Sequence, residues 1–276
     1  MAQRDLVPQS IPSIHSPTSS RPRIPILQYN SDHVIINKPA GISVHHGGQS
    51  FGRRLVVNTM LKRQLSRKCF PVHRLDHRTS GALVFAFSSS AAARLQVRLG
   101  ESEKTYLAFV RGSWNHGDSP LIVNRPVNVG SGVTKDAVTS FTLLASQPPT
   151  SLSMGASIVL CRPKTGRTHQ IRKHLKYLAH PIVGDSKHGD SKVNRWWREE
   201  RGFDRLGLHA LELDMGDGKV VVAPLVTKEW EGLFEEDVWK EGAGRDERLT
   251  RPFVDERGGS FGRRYREKMI DDMAEC

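Results

Sequence analysis

The sequence contains little cysteine and no long apolar run. Its three cysteines, among 276 residues, are far apart, which excludes a disulfide framework and a Cys-x-x-Cys metal pair and favours a reducing compartment. No apolar run approaches the ~20 residues that a membrane helix needs, so we expect no membrane contact.

Acidic residues are also scarce relative to basic ones. Asp and Glu number 29 against 41 Lys and Arg, which gives a formal net charge of +12. A globular protein this basic is expected to bind an acidic partner, and nucleic acid is the first candidate. A generally basic, solvated surface is the alternative.

Composition divides the chain into three parts. Residues 1–24 are rich in Pro, Ser and Arg and are predicted to be a disordered leader. Residues 25–240 carry strand and helix patterns, and residues 241–276 are predicted to be a charged flexible tail. We expect a cytoplasmic monomer, although the leader leaves an organellar address open.

Hydrophobic patterning predicts an α+β domain around one sheet. The segment "ALVFAF" (82–87) is apolar on both faces, so we expect a central strand there. Ser88–Ser90 are predicted to cap the helix that follows it. Further strands are predicted at 34–36, 104–112, 137–145, 156–162, 206–215 and 219–225, and an amphipathic basic helix at 168–179.

Two catalytic motifs fail on their context. G-x-S-x-G occurs at 48–52 and 258–262, but neither copy lies between the apolar strand and the helix of a nucleophile elbow, which makes a Ser50 hydrolase a weak alternative. The glycines of "GDSKHGDS" (184–191) are spaced as in a phosphate loop, yet Asp190 occupies the position of the lysine.

Metal ligation is not indicated either. His169, His174 and His180 lack the spacing of a zincin helix, and no H-E-x-x-H segment occurs. The two motifs of zinc-dependent base deaminases are also missing. We therefore predict no metal and no metal-binding residue.

The segment "HRLDHRTSG" (73–81) places one carboxylate, Asp76, among two arginines and two histidines. One interpretation is a surface ion-pair cluster at the entrance to a strand. The other is an anionic nucleophile or base in an electropositive cleft. A carboxylate repels phosphate, so a role in polyanion binding alone does not explain it, and a chemical role is favoured.

Basic residues collect in "RPKTGRTHQIRKH" (162–174), at a predicted helix entrance around Gly166. Backbone amides and the helix dipole favour an anion there, and arginines bind phosphate in bidentate fashion. We therefore predict substrate phosphate contacts for Lys164, Arg167 and His169.

Two further features leave alternatives open. The segment 191–205 interleaves cations with Trp196, Trp197 and Phe203, which predicts either stacking on bases or a loop held by buried tryptophans. Lys38 is interpreted either as a phosphate contact or as a solvated turn residue.

Several segments, taken in order, resemble the signature segments of the RluA-type pseudouridine synthases over about residues 27–225. They are "VIINKPAGISVHHG", "HRLDHRTSGALVFA", "EKTYLAFVRG", "RPKTGRTHQIRKHLKYLAHPIVGDSKHGD" and "LGLHALEL". "GDSKHGD" followed by Asn194-Arg195 is most similar to the branch called tRNA pseudouridine synthase C. The resemblance implies a mixed, largely antiparallel sheet with flanking helices, a central RNA-binding cleft, and isomerisation of uridine to pseudouridine without a cofactor.

The resemblance also implies roles for individual residues. Asp76 matches the catalytic aspartate, which attacks either C6 of uracil or C1′ of ribose. Tyr106 matches the tyrosine that removes the C5 proton or stacks on the uracil, and Arg172 the arginine that orients the aspartate. Leu208 matches the apolar residue against the target base, and Arg74 a residue that fills the gap left by the flipped nucleotide.

The implied substrate is a structured RNA, with tRNA favoured. Ribosomal RNA is the alternative substrate. An RNA-binding protein of the same fold without activity is the alternative function, and the joint presence of Asp76, Tyr106 and Arg172 argues against it. We also predict that Gly81 is needed because two backbones approach closely at that position.

Overall fold

The computed structural model describes residues 23–45, 56–150, 154–216 and 219–235. The predicted leader up to residue 22, the tail 241–276 and both G-x-S-x-G segments with Ser50 lie outside these residues. In the described part, no helix is both long and apolar enough to cross a membrane. Ile24, the last residue of the predicted leader, is already fully buried.

The described residues form strands and helices in mixed order. The strands are β1 (Ile26–Tyr29), β2 (His33–Lys38), β3 (Phe70–Pro71), β4 (Ser80–Ala86), β5 (Lys104–Arg111), β6 (Leu121–Asn124), β7 (Val127–Gly130), β8 (Val133–Lys135), β9 (Val138–Gln147), β10 (Ala156–Pro163), β11 (Leu208–Asp214) and β12 (Val220–Val222). The helices are α1 (Val57–Leu65), α2 (Ser89–Glu101), α3 (Gln170–Tyr177), α4 (Ser191–Arg201) and α5 (Lys228–Glu235).

One large sheet organises the molecule. Its strand order is β1-β2-β4-β11-β5-β10-β9-β6, with β3 added to β4 and β12 added to β11, while β7 and β8 form a separate hairpin. Among the strand pairs in the described residues, only β4 and β11 run parallel. This confirms the predicted mixed, largely antiparallel α+β fold.

Strand β4 is central because both of its faces are covered. Leu83 and Phe85 pack on the side of α1, whereas Val84 and Ala86 pack on the side of α2. All residues of β4 are buried, as the continuous apolar run predicts. Ser88 begins α2 as predicted, since its hydroxyl accepts a hydrogen bond from the amide of Ala91 at 3.1 Å.

Gly81 permits the close pairing of β4 with β11. A Cβ atom at this position would lie 2.2 Å from the carbonyl oxygen of Ala210, and the backbone has φ +112°. Only glycine adopts this conformation without strain and leaves room for the neighbouring strand. The predicted close approach is confirmed, and it fixes the segment that precedes β4 against the centre of the sheet.

The segment 191–205 is mostly helix α4 rather than a loop. The Asp190 carboxylate caps it, accepting hydrogen bonds from the amides of Lys192 at 2.9 Å and Val193 at 3.2 Å. The Trp197 ring is 1% exposed and lies edge-on to Phe109 with 4.7 Å between ring centroids. Trp197 and Phe203 are core residues, which confirms the alternative of a buried tryptophan for Trp197 and contradicts stacking of these two rings on bases.

Candidate active site

Asp76 lies in the turn between β3 and β4. The amide of Thr79 donates to the backbone carbonyl of Asp76 at 3.1 Å, which closes the turn just before β4 begins. The Asp76 side chain is 23% exposed, so it faces an open site and is also partly screened from water. Arg172 forms an ion pair with it and the His169 ring lies close to it, and both residues are distant in sequence.

Arg172 holds one oxygen of this carboxylate. Its Nη1 donates to Asp76 Oδ2 at 2.8 Å, and only 9% of the Arg172 side chain is exposed. The guanidinium projects from the first turn of α3. Gln170 anchors that turn, because its Oε1 accepts from the Thr165 hydroxyl at 2.6 Å and from the Arg167 amide at 3.1 Å.

Asp185 binds the Arg172 guanidinium on the side opposite Asp76. Arg172 Nε donates to Oδ2 at 2.7 Å and Nη2 donates to Oδ1 at 2.8 Å, which is a bidentate pair with a fully buried carboxylate. Oδ1 also accepts from the amides of Lys187 at 2.9 Å and His188 at 3.0 Å. Burial by itself would raise the pKa of Asp185, but these hydrogen bonds outweigh it and hold the pKa below its ordinary value.

The peptide that carries Asp185 is itself clamped by α4. Asn194 Oδ1 accepts from the amide of Gly184 at 2.7 Å, and Asn194 Nδ2 donates to the carbonyl of Asp185 at 3.0 Å. A Cβ atom at residue 184 would lie 1.8 Å from the carbonyl oxygen of Arg205, so glycine is required there. Helix α4 therefore supports the site through hydrogen bonds between the Asn194 side chain and the backbone next to Asp185.

Tyr106 and Leu208 lie on the adjacent strands β5 and β11. Tyr106 is opposite Ala210 in the antiparallel register, and Leu208 is opposite Ala108. Leu208 is 4% exposed and belongs to an apolar cluster against which the half-buried Tyr106 packs. Burial raises the pKa of Tyr106 to about 12, and the negative charge of Asp76 acts in the same direction, so the phenol is neutral near pH 7.

Lys38 lies beneath the Asp76 turn, and both predictions for it are wrong. Its side chain is fully buried. The ammonium donates to three backbone carbonyls: Pro39 at 2.9 Å, Ile42 at 2.8 Å and His77 at 3.1 Å. Burial, together with the positive charge of nearby Arg205, lowers the pKa of Lys38 to about 7 against the opposing charge of Asp76. Lys38 therefore joins the turn after β2 to the Asp76 turn.

The other predicted contacts lie nearer the surface. Arg74 is exposed within the Asp76 turn. Lys164 Nζ is 3.5 Å from Glu103 Oε2, and Arg167 Nε donates to the carbonyl of Asp136 at 3.0 Å. The structure thus brings Asp76, Arg172 and His169 together, whereas Lys164 and Arg167 contact other parts of the surface.

Comparison with known proteins assigns the family. The sequence model of the RNA pseudouridylate synthase family matches residues 32–177. The chain belongs to this family. Its members isomerise uridine to pseudouridine in RNA, and the predicted enzyme class and family are therefore confirmed.

Relatives of this pseudouridine synthase cover most of its length. It is 38% identical to the tRNA pseudouridine synthase C of Vibrio vulnificus over 75% of this chain and 92% of that protein. It is 32% identical to the enzyme of the same name from Yersinia pestis over 82% of this chain and 96% of that protein. The solved structure of human RNA pseudouridylate synthase domain containing 1 is 26% identical, with a TM-score of 0.58, over 75% of this chain and 84% of that one.

The family match contains Asp76, Tyr106 and Arg172 but ends before Asp185 and His188. Sequence reasoning missed both of these residues. The segment "GDSKHGD" was a signal for them, since it carries part of the resemblance to the family.

Proposed function

We propose that this synthase isomerises uridine in tRNA, with Asp76 as the nucleophile. The observation that supports this role is that the two oxygens of the Asp76 carboxylate differ in their hydrogen bonds. Oδ2 accepts a hydrogen bond from Arg172 at 2.8 Å, whereas no hydrogen bond from the residues that the structure describes reaches Oδ1. Oδ1 is then the atom that attacks, and Arg172 fixes its direction.

The proposed chemistry needs only this carboxylate and the substrate. Oδ1 of Asp76 forms a bond to C6 of uracil or to C1′ of ribose, and the N1–C1′ glycosidic bond breaks. The base turns, N1 takes up a proton from solvent, a bond forms between C5 and C1′, the C5 proton leaves to solvent, and the bond to Asp76 breaks. Arg172 orients the carboxylate before attack and stabilises its negative charge again on release.

Tyr106 is proposed to pack against the target uracil. Its raised pKa supports this role over proton removal from C5, because a neutral phenol must lose its own proton before it can act as a strong base. Leu208 extends the same apolar surface from the adjacent strand. The uridine must leave its stack to reach Asp76, which costs a few kcal/mol.

The tRNA substrate is supported by the names of the relatives and by the basic character of the chain. We propose that exposed Arg74 occupies the space of the flipped nucleotide, and that Lys164 and Arg167 contact phosphates. A cytoplasmic location and a monomeric state remain predictions of the sequence.

Pseudouridine mapping tests this proposal. Purified protein is incubated with unmodified tRNA transcripts and, separately, with ribosomal RNA, and pseudouridine is detected by carbodiimide-dependent primer-extension stops. We expect stops in tRNA that are absent with Asp76→Asn, while the affinity for RNA changes by no more than a few-fold. Stops only in ribosomal RNA would overturn the substrate, and no stops with binding retained would favour an inactive RNA-binding protein.

A further inference from the structure

A second group of residues reaches the same oxygen of Asp76. His169 Nε2 lies 3.6 Å from Asp76 Oδ2, the oxygen to which Arg172 donates. On the other side of the ring, His169 Nδ1 is within hydrogen-bond distance of His188 Nε2, at 2.9 Å. The two rings meet edge to face, with 5.1 Å between their centroids. The His188 side chain thus reaches the nucleophile through His169.

The backbone at His169 is unusual. Its φ is +55°, in the left-handed region that residues other than glycine rarely adopt, and it is the residue immediately before α3. Strain of this kind persists where the surroundings determine the conformation and is concentrated at functional sites. Here it turns the imidazole towards both Asp76 and His188.

Both rings are neutral near pH 7. Burial lowers the pKa of His188 to about 4. Burial also lowers the pKa of His169 against the opposing charge of Asp76, and the positive charges of Arg172, Lys187 and Lys173 act in the same direction as burial. A hydrogen bond between two neutral imidazoles contains one proton, so one ring donates and the other accepts.

The position of Asp76 decides which ring donates. If His169 donated from Nδ1, its Nε2 lone pair would face a carboxylate oxygen, which is repulsive. If His188 donates from Nε2, His169 accepts at Nδ1 and presents its Nε2–H to Asp76, which is attractive. The second arrangement is therefore favoured, and it points the Nε2–H dipole of His169 at Oδ2 across 3.6 Å, which is longer than a hydrogen bond.

We propose that His188 is a positioning residue that holds His169 in its Nε2–H form, so that His169 and Arg172 together direct Asp76 Oδ2 away from the substrate and leave Oδ1 to attack. This deepens the proposed function and rests on it.

Asp185 binds both Arg172 and the backbone of His188. Its Oδ1 accepts from Arg172 Nη2 at 2.8 Å and from the amide of His188 at 3.0 Å. One buried carboxylate thus fixes the guanidinium and the backbone that carries the second histidine. A shift of the Arg172 guanidinium or of the His188 backbone would move the other, so Arg172 and His169 both stay directed at one oxygen of Asp76.

Two substitutions at one position test the proposal. His188→Phe keeps an aromatic ring but removes the donor, whereas His188→Gln keeps an N–H that can reach His169. With saturating RNA, we expect His188→Phe to lower the single-turnover rate of pseudouridine formation ~10-fold, the upper range for loss of one hydrogen bond, and His188→Gln to stay within ~3-fold of wild type. RNA affinity and melting temperature should be similar in both variants. Equal losses in the two variants, or no loss in His188→Phe, would overturn the proposal.

Nitrogen NMR of the free protein provides a readout that does not depend on activity. The His169 ring is expected to show a protonated Nε2 and an unprotonated Nδ1 in the wild type and in His188→Gln, and to show a weaker preference in His188→Phe, where Asp76 alone favours the Nε2–H form. A protonated Nδ1 in the wild type would overturn the proposal. If the wild type made no pseudouridine while the expected ring signals were present, the proposed function would fail and the assignment of the histidine pair would stand.

Discussion

Asp185→Asn is the most informative single substitution at the site. The side chain keeps its shape, but it loses its charge and one of the two oxygens that bind Arg172. The carboxylate is fully buried and the guanidinium is 9% exposed, so solvent cannot replace the missing partner. Removing one member of a buried ion pair costs ~3–5 kcal/mol of unfolding free energy, and the amide oxygen that remains favours the lower end of this range.

This loss is large enough for a thermal-unfolding measurement. For a domain of this size, ~3 kcal/mol lowers the melting temperature by roughly 6–12 °C. We also expect a slower single-turnover rate at saturating RNA, because Arg172 is no longer held in the direction of Asp76. Circular dichroism and the pseudouridine assay on the same protein preparation measure the two effects.

The pKa of Asp185 determines how its contribution to stability changes with pH. The pKa of Asp185 is lowered in the folded protein, so its stabilising contribution is present above the ordinary pKa of an aspartate and is lost as the pH falls. The difference in stability between wild type and Asp185→Asn should therefore be full at neutral pH and should narrow below about pH 4.

Asp190→Asn is the matched control. Asp190 caps α4 and pairs with Arg111 at 2.9 Å, but its side chain is 36% exposed, and asparagine caps helices as well as aspartate does. We expect a loss of at most ~1 kcal/mol. The reasoning about the buried pair is refuted if Asp185→Asn costs no more than Asp190→Asn.

Three further predictions concern other parts of the site and its scaffold. Arg172→Lys replaces a planar group that bridges Asp76 and Asp185 with a single ammonium, so we expect at least a ~10-fold lower single-turnover rate with unchanged RNA affinity; a rate within ~2-fold of wild type would contradict the proposed orienting role. Gly81→Ala places a Cβ atom 2.2 Å from a carbonyl oxygen of β11 at a residue with φ +112°. We therefore expect the free energy of unfolding, measured in urea, to fall by about 3–5 kcal/mol. A loss below ~1 kcal/mol would show that the strands can separate. Burial lowers the pKa of His209 to about 3, so between pH 6.5 and this value the side chain is protonated in the unfolded chain but not in the folded protein. The free energy of unfolding should therefore fall as the pH drops below ~6.5, by ~2 kcal/mol at pH 5. Urea midpoints that stay level between pH 7 and pH 5 would contradict this.

The sequence predicted those features that depend on local pattern. The apolar run of β4 indicated a central strand because a strand buried on both faces has no polar face. The resemblance to a family paired Arg172 with Asp76, which the structure places 2.8 Å apart despite their distance in sequence. The need for Gly81 followed from its place in the same family segment.

Features that depend on tertiary burial were not predicted. Lys38 follows a short apolar strand and precedes Pro39, which is typical of an exposed turn, yet three carbonyls surround its ammonium inside the protein. The role of Asp185 depends on a guanidinium 13 residues earlier in the chain, and no spacing rule connects the two.

The aromatic segment of α4 shows how a local pattern can mislead. Cations between tryptophans are typical of RNA-binding surfaces, and this suggested stacking on bases. Val193 and Trp197, four residues apart, share the buried face of a helix. This helical spacing was the signal for a core position, and the surrounding charges lie on the exposed face.

Release of the C5 hydrogen tests the central claim most directly, because isomerisation replaces the C5–H bond of uridine with the bond to C1′. A tRNA transcript labelled with tritium at C5 of its uridines is incubated with wild type and with Asp76→Asn, and tritium in the solvent is counted against pseudouridine formed. The account predicts one tritium released per pseudouridine with wild type and none with Asp76→Asn. Release at equal rates from both proteins, or no release from wild type bound to the same RNA, would contradict it.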